Sequence, residues 1–133
     1  FDFIGDNDII FTRNRPYNAK ITKLNDQDEM VYHCGIFLYR KKEMVCMLFD
    51  QWYENYLKQI EPDWDPSPYP EAVRPWDTFT MWKLLTYSDH GVKWGEDLHV
   101  RWNFVNGYTY DELEDEDIVF WHYTIPEHEV HQK

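Results

Sequence analysis

A chain of 133 residues and 16.4 kDa is long enough to enclose one hydrophobic core and too short for two. Apolar residues make up 43% and aromatics 19%, which excludes a disordered acidic segment in spite of a net charge of −12. That charge speaks against nucleic acid and anionic membrane surfaces, whose phosphates it would repel. It suits a divalent cation, whereas a phosphate-bearing ligand would need a metal ion or a local basic cluster as mediator.

The chain opens on Phe1, inside the apolar run FDFIGDNDII, so a fragment of a longer protein, or one lacking an N-terminal part, is expected. FDFIG and DIIFTR read as short runs of strand type around the turn Gly5-Asp6-Asn7. The next stretch, RNRPYNAKITKLNDQDE, reads as loop with one short strand around Ile21. MVYHCGIFLYR is a strand whose nearly continuous apolar character predicts burial on both faces, with Ile36, Phe37 and Leu38 in the most buried strand of the domain.

From Lys42 to Ile60 the apolar positions Val45, Leu48, Phe49, Trp52, Tyr56 and Ile60 recur at three and four residues, which predicts an amphipathic helix. Leu48 and Trp52 should face the sheet, and Glu43, Asp50 and Glu54 the water. EPDWDPSPYPEAVRP, residues 61–75, holds five of the seven prolines and cannot continue a helix; loops of that length are often functional or mobile. A second helix is expected in WDTFTMWKLLTYS, with Asp77 near its start, where a carboxylate favours the exposed N–H groups. GVKWGED reads as a strand, LHVRWNFVNGY as a loop, TYDELEDED as a solvated acidic segment, IVFWHYT as a buried final strand, and IPEHEVHQK as a polar tail. This order predicts a single α/β domain with a mixed sheet and flanking helices.

No stretch approaches the ~18 apolar residues of a membrane span, and no signal peptide is visible. Cys34 and Cys46 lack metal or redox spacing and read as free thiols of a reducing, cytoplasmic compartment.

Asp6-Asn7-Asp8 puts two carboxylates beside an apolar strand. This is either a plain turn, which Gly, Asp and Asn favour locally, or a ligand pair for Mg²⁺ or Mn²⁺, which take oxygen donors. His122, in VFWHYT, is either a core histidine held by a hydrogen bond or, near the end of a terminal strand, a metal ligand. His128 and His131 have a spacing that can chelate but lie in the tail. No serine-hydrolase, dinucleotide-binding or P-loop signature is present. Seven tryptophans are more than so small a core should absorb, and aromatic faces stack on the apolar C–H faces of sugars. Trp64 and Trp76, in or beside the Pro-rich loop, are the candidates for that role.

Taken in order, YHCGIFLYRKKEMVCMLFDQW, WDTFTMWKLL, GVKWGEDLHVRWNFVNGY and DIVFWHY resemble the C-terminal half of GT-A-fold nucleotide-sugar glycosyltransferases, glycogenin-like and related families, over roughly residues 31–123. In that resemblance His33-Cys34-Gly35 stands where a small Asn-Ser-Gly turn opens a strand. Asp77 leads a helix, Trp102-Asn103 forms the WN segment, and His122 ends the last strand. A small turn lets the backbone approach a donor or acceptor sugar, so Cys34, Gly35, Trp102 and Asn103 are implied to bind substrate and Asp77 to hydrogen-bond sugar hydroxyls in catalysis. Mn²⁺ or Mg²⁺ on Asp6, Asp8 and His122 would neutralise the diphosphate of a nucleotide sugar. The turn departs from the family pattern, Thr78 stands where Gln often follows the Asp, and the N-terminal nucleotide-binding half is not in the sequence. The chain alone is therefore expected to bind acceptor sugars, through Trp64, Trp76, Asp77 and Asn103, without turning over a nucleotide sugar. A non-catalytic carbohydrate- or protein-binding module, the latter acting through exposed tryptophans, is the competing expectation.

Overall fold

Four successive residues, Ile9 to Thr12, are all buried, which marks the strand they belong to as the middle of the sheet. The computed structural model describes residues 3–13, 31–105 and 117–122. In it β1 (Ile9–Arg13) pairs antiparallel with β2 (Tyr32–Tyr39) and parallel with β3 (Trp94–Leu98), in the order β2-β1-β3. The expected α/β class with a mixed sheet is what is found.

Ile36, Phe37 and Leu38 are not in the most buried strand. They are only partly buried, because β2 has a single strand neighbour among the described residues. A continuous apolar run signals burial but cannot say which of two such runs takes the central place, and the shorter DIIFTR takes it. FDFIG forms no strand over its described part: Phe3 to Asp6 make a turn, with Gly5 at φ +52° in the left-handed region open to glycine.

Between β2 and β3 the chain forms α1 (Glu43–Gln59), a short 3-10 turn (Glu71–Val73) and α2 (Asp77–Tyr87). Ile9 and Phe11 on one face of β1 join Val45 and Leu48 of α1 and Phe79, Met81, Trp82, Leu84 and Leu85 of α2 in one core cluster. Trp52 is partly buried against that core, while Glu43, Asp50 and Glu54 face water, as the helical spacing requires. The stripe fails at its last position, where Ile60 lies beyond the helix and is exposed while Gln59 is buried in its stead.

Within the Pro-rich segment Arg74 links distant residues. The Arg74 guanidinium donates to Glu61 O at 2.7 Å and Trp64 O at 3.0 Å, pairs with Glu71 Oε1 at 2.6 Å, and lies 5.5 Å over the Trp64 ring. Planar multidentate donors suit this task.

Tyr32 stacks on Phe11 at 4.7 Å and meets Trp94 edge-on at 5.0 Å. Its buried hydroxyl has no hydrogen-bond partner among the described residues, and burial pushes its pKa up. A buried donor without a partner is a standing cost. Tyr32→Phe should therefore leave unfolding stability unchanged or raise it by up to about 1 kcal/mol; a loss of stability in denaturant titration would show that the hydroxyl has a partner.

Beyond β3, a 3-10 turn (Val100–Trp102) leads into β4 (Phe104–Val105), which pairs in parallel with β5 (Trp121–His122). The expected buried strand IVFWHYT is strand only at these last two described residues, and Val119 and Phe120 before it are 42% and 50% exposed. Ile21, most of TYDELEDED, and the tail with His128 and His131 lie outside the described residues. No described helix is long and apolar enough to cross a membrane.

Candidate functional site

Both ladders of β1 slip at the same point, between Phe11 and Thr12. On β2 the partner jumps from Phe37 to His33, so Cys34, Gly35 and Ile36 bulge out; on β3 the register also shifts between Ile10 and Thr12. The Thr12 hydroxyl donates to Ile36 O at 2.6 Å and holds the bulge to the sheet. Bulges re-aim side chains and are frequent beside sites, and an isolated glycine inside a strand pattern is the sequence signal for one.

Gly35 is in this bulge for reasons of space. Its φ is not positive, but a Cβ there would come within 2.8 Å of both Asn103 Nδ2 and His33 Nδ1. The Gly35 N–H donates to His33 Nδ1 at 2.8 Å, and Asn103 Nδ2 lies 3.2 Å from the same nitrogen. Nδ1 thus accepts, which assigns the proton of the neutral ring to Nε2. Asn103 is 2% exposed, so its amide is held in place by what surrounds it.

The start of α2 is fastened to the same bulge. The Cys34 N–H donates to Thr78 Oγ1 at 3.2 Å, and the Trp52 indole N–H donates to Asp77 O at 2.9 Å. This leaves the exposed Asp77 side chain in the first turn of α2, close enough to Cys34 for its charge to act on the thiol. Burial raises the Cys34 pKa, and the Asp77 charge raises it further.

The Cys34 side chain belongs to the core cluster and its N–H is taken by Thr78; successive strand residues point to opposite faces. Thiolate character governs reactivity. A thiol reagent should therefore titrate the exposed Cys46 in the native protein and reach buried Cys34 only on unfolding. Two fast-reacting native thiols, read by absorbance, would contradict this placement.

Asp8 lies at the other end of β1, about 13 Å from Thr12 at strand rise. Its Oδ1 receives the Lys42 ammonium at 2.6 Å and its Oδ2 the Lys93 N–H at 2.9 Å, while its backbone bonds to Lys93 O and Arg40 N. The Lys42 hydrogen bond first, then that of Lys93, hold its carboxyl below the usual range. Asp8 thus joins the start of β1, the end of β2 and the approach to β3. Asp6 is exposed on the preceding turn, and β5 carries His122, paired with Val105, with its side chain outside the described residues.

The Asp8 charge is already neutralised by an ammonium, which would repel a metal ion, and among the described residues no three His, Cys, Asp or Glu side chains cluster as ligands would.

The tryptophans are more internal than their number implied. Trp64 and Trp76 are partly buried and packed against the core, with the Trp64 ring edge-on to Phe79 at 6.3 Å. Each long aromatic body packs against the core while remaining partly accessible. Trp102 meets Phe3 edge-on at 5.4 Å.

The structure thus brings Gly35 together with Asn103 and His33, joins Cys34 to Thr78 in the turn that carries Asp77, and places Asp6 and Asp8 elsewhere. His33 belongs to the turn that carries the resemblance, whereas Thr78 stands out in sequence only as a departure from the family pattern. No protein-family model, curated protein or solved structure matches the chain.

Proposed function

We propose that this chain is part of a nucleotide-sugar glycosyltransferase of GT-A type, and that the bulge of β2 with the start of α2 and the segment entering β4 forms its carbohydrate subsite. One observation carries the reading. Three segments that bear the resemblance, far apart in sequence, converge on the β2 bulge: Gly35 lies against His33 and Asn103, and the neighbouring Cys34 N–H is taken by Thr78 in the first turn of α2.

The chemistry suits a sugar. Hydroxyls need acceptors and donors in fixed positions, and the His33 ring can supply them beside a glycine that leaves the surface low enough to approach, with the exposed Asp77 carboxylate at the start of the helix fastened to the same bulge. Asn103 acts by holding His33. Binding energy of this kind is used for positioning, and Asp77 is the group assigned to the reacting sugar's hydroxyls.

Saturation-transfer NMR with a panel of mono- and disaccharides tests the subsite. Transfer is expected with wild type and weakened in Asp77→Asn; contact with no glycan would remove the reading. A non-catalytic interaction module is favoured by a different feature, the exposed apolar side chains of Met47, Tyr53 and Leu57 on α1.

A further inference from the structure

The core-facing side of α1 does not absorb all its apolar residues. Cys46, Tyr53 and Leu57, with Ile60 just past the last turn, are exposed, the last three at 65%, 42% and 43%. At about 100° per residue the four fall within an arc of about 60°, roughly a third of a turn round from Val45 and Leu48. They form a row about 20 Å long at helical rise. Among the described residues the Tyr53 side chain makes no ring contact or hydrogen bond.

One edge of this row is acidic. Asp50, Glu43 and Glu54 occupy the next arc of about 60°, all exposed, and none has a cation within 4.0 Å among the described residues. The cations near α1 do not cancel them. Lys58 lies further round the helix, beyond Glu54, and Lys42 is taken by Asp8. Lys41, exposed, precedes the helix.

An exposed apolar row calls for cover, and charge decides which partner can supply it. A second copy across a two-fold axis would set acidic edge against acidic edge, between chains of net charge −12 each. An anionic membrane surface would be repelled as well. A helix with apolar anchors spaced by turns and cations along one edge of them meets both demands.

We propose that the outer face of α1 docks a basic amphipathic helix of another protein, with apolar side chains on Tyr53, Leu57 and Ile60 and lysines or arginines along Asp50 and Glu54. The inference rests on reading the exposed residues of α1 as an interaction face and does not involve the carbohydrate subsite. Peptide and glycan binding are measured separately, so either can fail alone.

Fluorescence-anisotropy titration with a labelled helical peptide of about 18 residues, leucines on one face and lysines on the rest, tests it. Binding is expected, and a counterpart with glutamates in place of the lysines should not bind. Tyr53→Ala and Leu57→Ala should each weaken binding by about tenfold while the unfolding midpoint stays put. Asp50→Asn with Glu54→Gln should flatten its fall with rising salt. Because Cys46 lies in the row, bound peptide should slow its alkylation by iodoacetamide, a readout specific to this face. Absence of binding, or an affinity indifferent to Tyr53→Ala and Leu57→Ala, would overturn the proposal. So would an unprotected Cys46, or self-association of the chain that Leu57→Ala abolishes, which would give the face to a second copy.

Discussion

Gln59→Leu is expected to destabilise the protein by about 2–4 kcal/mol in denaturant unfolding, the largest effect of any single polar substitution considered. Gln59 ends α1 and is buried. Its amide nitrogen lies 3.1, 2.9 and 3.0 Å from the carbonyl oxygens of Val73, Arg74 and Trp76, and its Oε1 accepts the Thr80 hydroxyl at 2.7 Å. An amide has two N–H donors and a carbonyl, so one side chain satisfies the turn that enters α2 and its first helical turn together.

Leucine keeps most of the volume and removes every partner. The Val73 oxygen retains the Trp76 N–H and the Trp76 oxygen a long contact with Thr80, but the Arg74 oxygen loses the hydrogen bond described for it. Orphaned buried groups account for the cost. In a double-mutant cycle Thr80→Val should recover part of it, since the hydroxyl is then no longer left facing an apolar chain. A loss below about 1 kcal/mol would mean that water reaches these carbonyls.

The second large effect is expected at Gly35. A methyl group there must displace the Asn103 amide and the His33 ring, each 2.8 Å from the new Cβ, and neither moves freely: Asn103 is buried and short, and His33 is anchored by the Gly35 N–H itself. Overpacking of this kind costs about 1–3 kcal/mol. Under the proposed function, Gly35→Ala should also weaken glycan contact by about tenfold, a loss near 1.4 kcal/mol, because the added group occupies the approach and turns His33 away.

The two effects separate in a background carrying His33→Ala and Asn103→Ala. There Gly35→Ala should cost little further stability, since the atoms it would strike are gone. A full additive penalty in that background would place the strain in the backbone of the bulge and not in the contact with these side chains.

Periodicity alone determined a good deal of this protein. The three-and-four spacing of Val45, Leu48 and Trp52 places α1, because burial of one face is a local property of a repeating helix. The prolines set its end and Asp77 the start of α2 by steric and dipolar rules that act within a turn or two. The α/β class follows from the order of such elements.

Which strand stands in the middle, and what each polar group faces, are decided between segments remote in sequence. DIIFTR and CGIFLY are both apolar runs, and only pairing with β3 as well as β2 makes β1 the centre. Asp8 reads as a possible metal ligand until Lys42, thirty-four residues on, is found on its oxygen. Gln59 reads as a polar helix residue until three carbonyls from another segment converge on it. Side-chain charge and hydrogen-bonding capacity are written in the sequence. Their partners are not, because a partner is chosen by how the helices and the sheet stack, and that stacking is settled by the whole core at once.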